Sequence, residues 1–284
     1  MRVLITGADG LLGRELVEAF DGHDVVATGR RQLDVEDRDS VLQVVTSARP
    51  DAVVHAAAWT DVDGCELDPD RALRVNALGT RHAANAARWA GARVCYVSTD
   101  YVFSGEAHRP YDEWDRTGPI SSYGRSKLGG ERELGPEDTI VRTSWLSGRH
   151  GRSFVKTVLR LAGQKDEITV VDDQWGRPTF AEDLAPAIAQ LVCARLPGTY
   201  HVTNQGVATW CELAQATLAA AGDDPDRVRP ITTAELDPPR PAPRPRRAVL
   251  DNAALRLSGM DLLPDFHDPL ERLVKELTGS GWRP

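Results

Sequence analysis

A tyrosine and a lysine four residues apart are the side chains in this sequence best suited to proton transfer. Tyr123 and Lys127 fall in segment 121–134, whose pattern predicts a helix, and their spacing puts both on one helix face. A phenol alone is a weak acid, with a pKa of about 10. A neighbouring ammonium stabilises the phenolate and lowers that pKa, which makes the tyrosine usable as a proton relay. The pair indicates acid–base chemistry, although an isolated match of this kind is by default a surface pair.

A hydroxyl lies where it could hold a substrate oxygen for this pair. Thr99 follows the predicted strand 94–97. Ligands bind at the carboxyl ends of the strands in parallel sheets covered by helices. We therefore predict that Thr99 holds a substrate carbonyl in line with Tyr123.

Three glycines indicate a phosphate-binding turn. Gly7, Gly10 and Gly13 follow the predicted strand 3–5 and open the predicted helix 11–20. They permit a tight turn and close approach of a pyrophosphate, while the helix N-terminus supplies N–H donors and a favourable dipole. Three glycines alone are weak evidence for phosphate binding, and an ordinary glycine-rich turn is the alternative. The strand before them and the helix after them are what dinucleotide binding requires.

The residues after the predicted strand 25–27 bear on which dinucleotide binds. An acidic residue there would accept a hydrogen bond from the ribose 2′-hydroxyl of NAD, but the sequence has Arg30 and Arg31. Arginines attract the 2′-phosphate of NADP. Both could instead point into solvent, so NADPH is predicted and NADH stays open.

Strand and helix patterns alternate through the first half of the chain. The remaining predicted strands there are 52–55 and 139–142, and the remaining helices are 40–48 and 69–89. Short strands that are apolar on both faces, alternating with helices, predict an α/β fold with a doubly wound parallel (Rossmann) sheet. We assign 1–142 to a dinucleotide-binding core, completed by segments near 168–202. We assign 143–284 to a smaller, interleaved substrate-binding region.

The second half is less regular. Strands are predicted at 168–171 and 199–202, and a helix at 269–277. Segment 237–247 is rich in proline and arginine and cannot be a regular helix. It is either a linker or an extended loop over the site.

Composition excludes several classes of protein. A chain of 284 residues with 41% hydrophobic residues and a net charge of −8 is an ordinary globular protein and not a basic nucleic-acid binder. The N-terminus has no secretory pattern, and no apolar stretch reaches the roughly 18 residues of a membrane span. We therefore expect a cytoplasmic protein. Four cysteines lack zinc or disulfide spacing and should be reduced: Cys65, Cys95, Cys193 and Cys211.

Seven motifs spread over nearly the whole chain carry a family resemblance. They are GADGLLG (7–13), AAAWTDVD (56–63), VNA (75–77), STDYVF (98–103), YGRSK (123–127), RTSW (142–145) and DQWGRPT (173–179). Each alone is common, but the set resembles the dTDP-4-dehydrorhamnose reductase family of the extended short-chain dehydrogenases. The resemblance implies hydride transfer from the nicotinamide to C4 of a dTDP-linked 4-keto-6-deoxy sugar.

The resemblance also assigns roles. It implies that Tyr123 donates the proton, that Lys127 binds the nicotinamide ribose and tunes Tyr123, and that Thr99 positions the oxygen. The candidate cofactor-binding residues are Gly7, Gly10, Leu11, Leu12, Gly13, Arg30, Arg31, Asp34, Val35, Ala56, Ala57, Ala58, Tyr123 and Lys127. The candidate substrate-binding residues are Thr60, Val62, Tyr101, Trp145 and Arg244.

Several of these roles have plain structural alternatives. Trp145 could be a core aromatic, and Asn76 a satisfied buried amide. The arginines of the proline-rich segment, Arg240, Arg244, Arg246 and Arg247, could pair with a pyrophosphate or form a solvated basic loop. Ala248 stands where the family has a serine, which leaves the exact sugar and nucleotide open. Glu15 matches a carboxylate that holds Mg²⁺ between subunits in some family members, but Pro186 should interrupt the later helix, so no metal is predicted.

The reaction class rests on one contrast. Related sugar-nucleotide dehydratases carry Asp-Glu after the catalytic threonine, whereas here Asp100 is followed by Tyr101. The absent second carboxylate favours ketone reduction.

Two alternatives remain: a non-catalytic binding subunit, like the regulatory subunit of methionine adenosyltransferase, and an epimerase that keeps its nicotinamide bound. The expected partners are the keto-sugar and a second copy in a possible homodimer.

Overall fold

Strands and helices alternate along the computed structural model, which describes residues 1–279. The strands are β1 (Arg2–Thr6), β2 (Asp24–Thr28), β3 (Ala52–His55), β4 (Arg93–Thr99), β5 (Thr139–Thr143), β6 (Leu146–Ser147), β7 (Ile168–Val171), β8 (Trp175–Gly176), β9 (Thr179–Phe180), β10 (Gly198–His201), β11 (Ala208–Thr209) and β12 (Val228–Ile231). The helices are α1 (Leu11–Ala19), α2 (Arg38–Ala48), α3 (Val62–Leu67), α4 (Pro69–Leu73), α5 (Gly79–Ala90), α6 (Ser122–Glu131), α7 (Phe154–Ala162), α8 (Ala181–Cys193), α9 (Trp210–Ala220), α10 (Ala253–Leu257) and α11 (His267–Gly279).

The central sheet has six parallel strands in the order β10-β5-β4-β3-β1-β2. Alternate residues of β1 face opposite layers. Val3 and Ile5 pack with α1 and α8, while Leu4 packs with residues of α2 and α5, and all three are fully buried. Helices on both faces explain why the strands are apolar throughout. The predicted doubly wound fold is confirmed.

The two strands predicted between 168 and 202 separate in the structure. β10 joins the central sheet beside β5. β7 instead pairs with β12 in a two-stranded sheet, where Ile168 and Val170 pack with residues of α7 and α9. Only β10 therefore extends the sheet that carries the glycine turn.

The predicted helix 69–89 is helical throughout but not uniform. Residues Arg74–Leu78, between α4 and α5, form a π-helical turn. Such turns often occur at functional sites. This one contains the buried Asn76, whose amide accepts from the Trp59 N–H and donates to the Trp59 carbonyl and to Ser126 Oγ. Asn76 is thus a satisfied amide that fixes the backbone of Trp59.

The prediction that Pro186 interrupts a helix is wrong. α8 continues through Pro186 to Cys193. Proline removes one backbone hydrogen bond. However, Leu184, Ile188 and Leu191 are fully buried in the layer against the sheet, and this packing holds the helix together.

Segment 237–247 contains no helix, and only Arg247 forms a β-bridge, with Trp175. The segment lies over α3, where Ala242 N donates to the Asp63 carboxylate. Of the two alternatives left by the sequence, the extended loop is the one observed. Within residues 1–279 no helix is both long and apolar enough to cross a membrane.

Candidate active site

The glycine turn is too crowded for side chains. Gly7 has φ +69°, and a Cβ there would lie 2.8 Å from the backbone of Ala57. A Cβ at Gly13 would lie 2.1 Å from the Gly7 carbonyl oxygen. Gly10 N donates to that same oxygen at 2.9 Å and caps α1. The three glycines are therefore required by close backbone approach, and the turn leaves the first N–H groups of α1 available.

A cavity of about 370 Å³ lies at this turn. Its lining contains eight of the predicted cofactor-binding residues: Gly7, Gly10, Arg30, Asp34, Val35, Ala56, Ala57 and Ala58. It also contains six residues to which no role was assigned from the sequence: Asp9, Leu33, Glu36, Trp59, Arg71 and Val75. A crowded glycine turn, a free helix N-terminus and an open cavity at the carboxyl ends of β1, β2 and β3 fit a dinucleotide.

Six predicted cofactor-binding residues do not line this cavity: Leu11, Leu12, Gly13, Arg31, Tyr123 and Lys127. Leu12 is buried in the core, and Leu11 packs against Gly148 and Gly151. Leu11, Leu12 and Gly13 can therefore serve the cofactor only through the backbone of the first helical turn. Both arginines of the pair are exposed, and Arg30 lines the cavity whereas Arg31 does not.

Tyr123 lies in the first turn of α6, which begins where Ser121 Oγ accepts from Gly124 N. The ring is buried and packs edge-on against Tyr101, with centroids 5.5 Å apart. Trp59 packs against the same cluster and also lines the cavity at the glycine turn. Trp59 thus connects the candidate acid to the candidate cofactor site.

Lys127 is buried one turn further along α6. Its Nζ donates to the Val97 carbonyl at 2.7 Å and lies 4.1 Å from the centroid of the Tyr96 ring. Burial lowers the pKa of Lys127 to about 7, and the nearby Glu131 carboxylate partly offsets this by raising it. The ammonium is thus directed at the sheet backbone.

The expected lowering of the tyrosine pKa is not observed. Burial raises the pKa of Tyr123, hydrogen bonding with the Thr99 side chain lowers it, and the charge of Asp100 raises it. The physical reason is that desolvation of a phenolate in this apolar cluster outweighs the stabilisation available to it. The phenol therefore keeps its proton at neutral pH.

Thr99 and Asp100 lie at the carboxyl end of β4, beside Tyr123. Thr99 Oγ1 donates to Asp100 Oδ1 at 3.0 Å and accepts from Tyr101 N at 3.3 Å. Asp100 is only 2% exposed. Burial raises the pKa of its carboxyl to about 7, although the Thr99 hydroxyl and backbone amides lower it. The sequence analysis used Asp100 only for the contrast with the dehydratases and did not predict its burial.

Asp100→Asn should change the pH dependence of stability. Because the folded pKa of Asp100 lies above its ordinary value of 3.8, the folded state binds a proton more tightly than the unfolded state. Stability is then lost as pH rises towards 7, by at most about 1.4 kcal/mol per pH unit. In urea titrations between pH 5 and 8, the unfolding free energy of Asp100→Asn minus that of the unchanged protein should rise up to about pH 7 and then level. A difference that does not vary with pH would contradict the assignment.

Arg244, a predicted substrate-binding residue, forms an ion pair with Asp63. Its Nη1 and Nη2 donate to the two oxygens of Asp63 at 2.6 and 2.7 Å. These hydrogen bonds lower the pKa of Asp63. Asp63 lies in α3, next to Val62, whose side chain packs in the Tyr123 cluster. The ion pair holds the loop 237–247 against α3. Asp63 was not predicted from the sequence as the partner of Arg244, because the two residues are 181 positions apart.

Trp145 lies in a different apolar cluster from Tyr123. Its ring stacks on Trp210 with centroids 3.6 Å apart, and a Cβ at Gly176 would lie 2.4 Å from its Cε2. Its φ of +49° is strained for a tryptophan. Thr60, the remaining predicted sugar-pocket residue, is exposed beyond Trp59.

A second cavity, of about 270 Å³, adjoins this aromatic stack. Phe154, Val158, Val170, Trp210 and Arg240 are among its lining residues. Within residues 1–279 the Arg240 guanidinium has no hydrogen bond or ion pair, so it differs from Arg244. No local pattern indicated a role for Trp210, because its partner Trp145 comes from a distant segment.

Glu15, the possible metal ligand, accepts two hydrogen bonds from Arg149, at 2.8 and 2.9 Å. Its charge is thereby neutralised within the chain. Over the described residues, 1–279, no cluster of three or more His, Cys, Asp or Glu side chains is arranged to hold a metal ion.

Known proteins match the chain over its full length. The model of the family "RmlD substrate binding domain" matches residues 1–278. A dTDP-4-dehydrorhamnose reductase of Streptomyces griseus is 45% identical over 294 residues, covering 100% of this chain and 96% of the relative. A probable dTDP-4,6-dihydroxy-2-methyloxan-3-one 4-ketoreductase of Streptomyces antibioticus is 42% identical, covering 99% and 97%. The crystal structure of dTDP-4-dehydrorhamnose reductase from Bacillus anthracis in complex with NADP is similar with a TM-score of 0.93 and 40% identity, covering 97% and 99%.

Proposed function

We propose that this chain, which belongs to the RmlD substrate binding domain family, reduces the C4 ketone of a dTDP-linked 4-keto-6-deoxy sugar with NADPH. The observation that carries the proposal is the buried group of Thr99, Tyr123 and Lys127, linked through Trp59 to the glycine-turn cavity. Its relatives are named as reductases of such sugars, and a similar structure holds NADP.

The geometry supports a proton donor suited to ketone reduction. When bound, NADPH supplies the hydride that C4 accepts. Tyr123 donates its proton to the ketone oxygen, and its raised pKa keeps that proton in place until the oxygen gains charge. Thr99 holds the oxygen beside the phenol, and Lys127 holds the nicotinamide ribose. Lys127 can act as a cation for the phenolate left behind, because its pKa of about 7 leaves much of it protonated.

The substrate would lie between this group and the loop 237–247. Val62 and Tyr101 border Tyr123, and Thr60 is exposed at the same edge, so these three would surround the sugar. Arg240, which has no partner within residues 1–279, is the arginine of the loop best placed for the diphosphate, with Arg244 fixing the loop beside it. The Trp145–Trp210 stack and its adjoining apolar cavity suit the base of the nucleotide.

The proposal also includes the division of the chain into two regions, its location in the cell and its oligomeric state. Residues 1–142, with β10, would bind the cofactor, and most of 143–284 would bind the substrate. A cytoplasmic location and a possible homodimer remain part of the proposal.

The test is a turnover panel of dTDP-linked and other nucleotide-linked 4-keto sugars, each with NADPH and with NADH. Loss of dihydronicotinamide absorbance matched by reduced sugar, fastest with a dTDP-linked substrate and NADPH, is expected. Cofactor binding without oxidation across the panel would instead indicate a binding subunit. Copurified NAD with no net oxidation would indicate an epimerase.

A further inference from the structure

An arginine of unassigned role lies in the wall of the glycine-turn cavity. Arg71, on α4, lines the cavity together with Gly7, Gly10 and Arg30. Its guanidinium lies over the Trp59 ring, with the central carbon 4.3 Å from the ring centroid. Stacking of this kind uses the face of the guanidinium and leaves the N–H groups at its edge free to donate.

Those donors have no acceptor within residues 1–279. Neighbouring arginines of the same helical run differ: Arg74 pairs with Glu36 at 3.4 Å, and Arg81 donates two hydrogen bonds to Glu133 at 2.8 Å each. Arg71 is therefore a cation held in position by an aromatic ring and not by an acid. A guanidinium has five N–H donors, and those of Arg71 are unused beside a cavity at a helix N-terminus, where anions bind. An anionic ligand group would satisfy them.

The order of the strands indicates which anion that is. β1, which leads into the glycine turn, lies between β2 and β3. Arg30 follows β2, where the 2′-phosphate of NADP binds in such sheets. Trp59 and Arg71 lie on the β3 side, next to Ala57, whose backbone contacts Gly7. The two cations thus flank the turn from opposite sides.

The cavity also needs a second cation on electrostatic grounds. Asp9, Asp34 and Glu36 line it together with Arg30 and Arg71, and Glu36 is already paired with Arg74, so the charges of the lining nearly cancel before a ligand binds. A dinucleotide brings two further negative charges on its diphosphate, and the N-terminus of α1 supplies N–H groups but no full charge. A guanidinium facing the turn would balance that diphosphate.

We propose that Arg71 binds the diphosphate of the dinucleotide, from the β3 side of the glycine turn, while Arg30 binds the 2′-phosphate. This assignment rests on the proposed function. It makes Arg71 a cofactor-binding residue that does not distinguish NADPH from NADH, because both carry the same diphosphate.

Two cofactor fragments separate the roles of the arginines. ADP-ribose carries the diphosphate without the 2′-phosphate, and adenosine 2′-monophosphate carries the 2′-phosphate without the diphosphate. By calorimetry, Arg71→Met should weaken ADP-ribose binding about tenfold or more and leave adenosine 2′-monophosphate within about twofold. Arg30→Met should do the reverse, Arg71→Lys should recover part of the loss, and the control Arg81→Met should change neither.

The outcomes are distinguishable. Equal weakening of both fragments by Arg71→Met would place Arg71 against the shared adenosine and overturn the assignment, as would no weakening of either. If the unchanged protein binds neither fragment, the proposed function itself fails. A loss with Arg71→Met that Arg71→Lys does not relieve would show that shape matters and not charge, which also contradicts the assignment.

Discussion

Tyr123→Phe should lower kcat by a factor of roughly 10² to 10⁴, the range over which a positioned acid accelerates a reaction. The change removes one oxygen from a buried ring and leaves its packing against Tyr101 intact. Because the proton moves only in the transition state, kcat and kcat/KM should fall together, and the Kd for NADPH should stay within about twofold. Steady-state kinetics and cofactor titration measure both.

Tyr200→Phe is the matched control. Tyr200 is also buried, but its hydroxyl donates to the Pro197 carbonyl, at the amino end of β10. Its removal should leave kcat unchanged. Turnover of Tyr123→Phe close to that of Tyr200→Phe would remove Tyr123 from the mechanism.

Arg142→Met should reduce the free energy of unfolding by about 3–5 kcal/mol. Arg142 on β5 donates to both oxygens of Glu131, at 2.9 and 2.8 Å, and the two side chains are only 7% and 5% exposed. Loss of the guanidinium leaves a carboxylate buried with one remaining side-chain donor, Ser98. Since Glu131 is one turn beyond Lys127 on α6, this pair also fixes the helix that carries the candidate acid.

An exposed pair provides the comparison. Arg81 and Glu133 form a similar two-point contact, but the arginine side chain is 51% exposed. Arg81→Met should therefore lower the free energy of unfolding much less than Arg142→Met does. Urea denaturation of both variants measures the two free energies of unfolding. Equal losses in Arg142→Met and Arg81→Met would mean that burial of the Arg142–Glu131 pair does not increase its contribution to stability.

Local pattern was sufficient to predict the sheet and its ligand-binding edge. The six strands of the central sheet were all recognisable as short apolar runs. Helices cover both faces of the sheet, so its strands do not alternate polar and apolar residues. The glycine turn was informative for a related reason: a Cβ at Gly7 or Gly13 would collide with backbone atoms, and one at Gly10 would make a tight contact at 3.0 Å. Both signals are confined to neighbouring residues.

The properties that depend on burial and distant partners were not predictable. Tyr123 and Lys127 were predicted to share one face of a helix, but their burial and their pKa directions follow from residues of several segments. Asp63 and Arg244 meet across 181 positions, and the Trp145–Trp210 stack likewise joins separate segments. The prediction that Pro186 interrupts a helix was wrong because packing of α8 against the sheet outweighs the backbone hydrogen bond that proline removes.

The central claim is that hydride passes to C4 of the keto-sugar while the Tyr123 proton passes to its oxygen. The most direct test supplies NADPH with deuterium at the transferred position, together with a dTDP-linked 4-keto-6-deoxy sugar, and locates the label by NMR. We predict one deuteron at C4 of the reduced sugar. Reduced sugar carrying ordinary hydrogen at C4, or a label at another carbon, would contradict it.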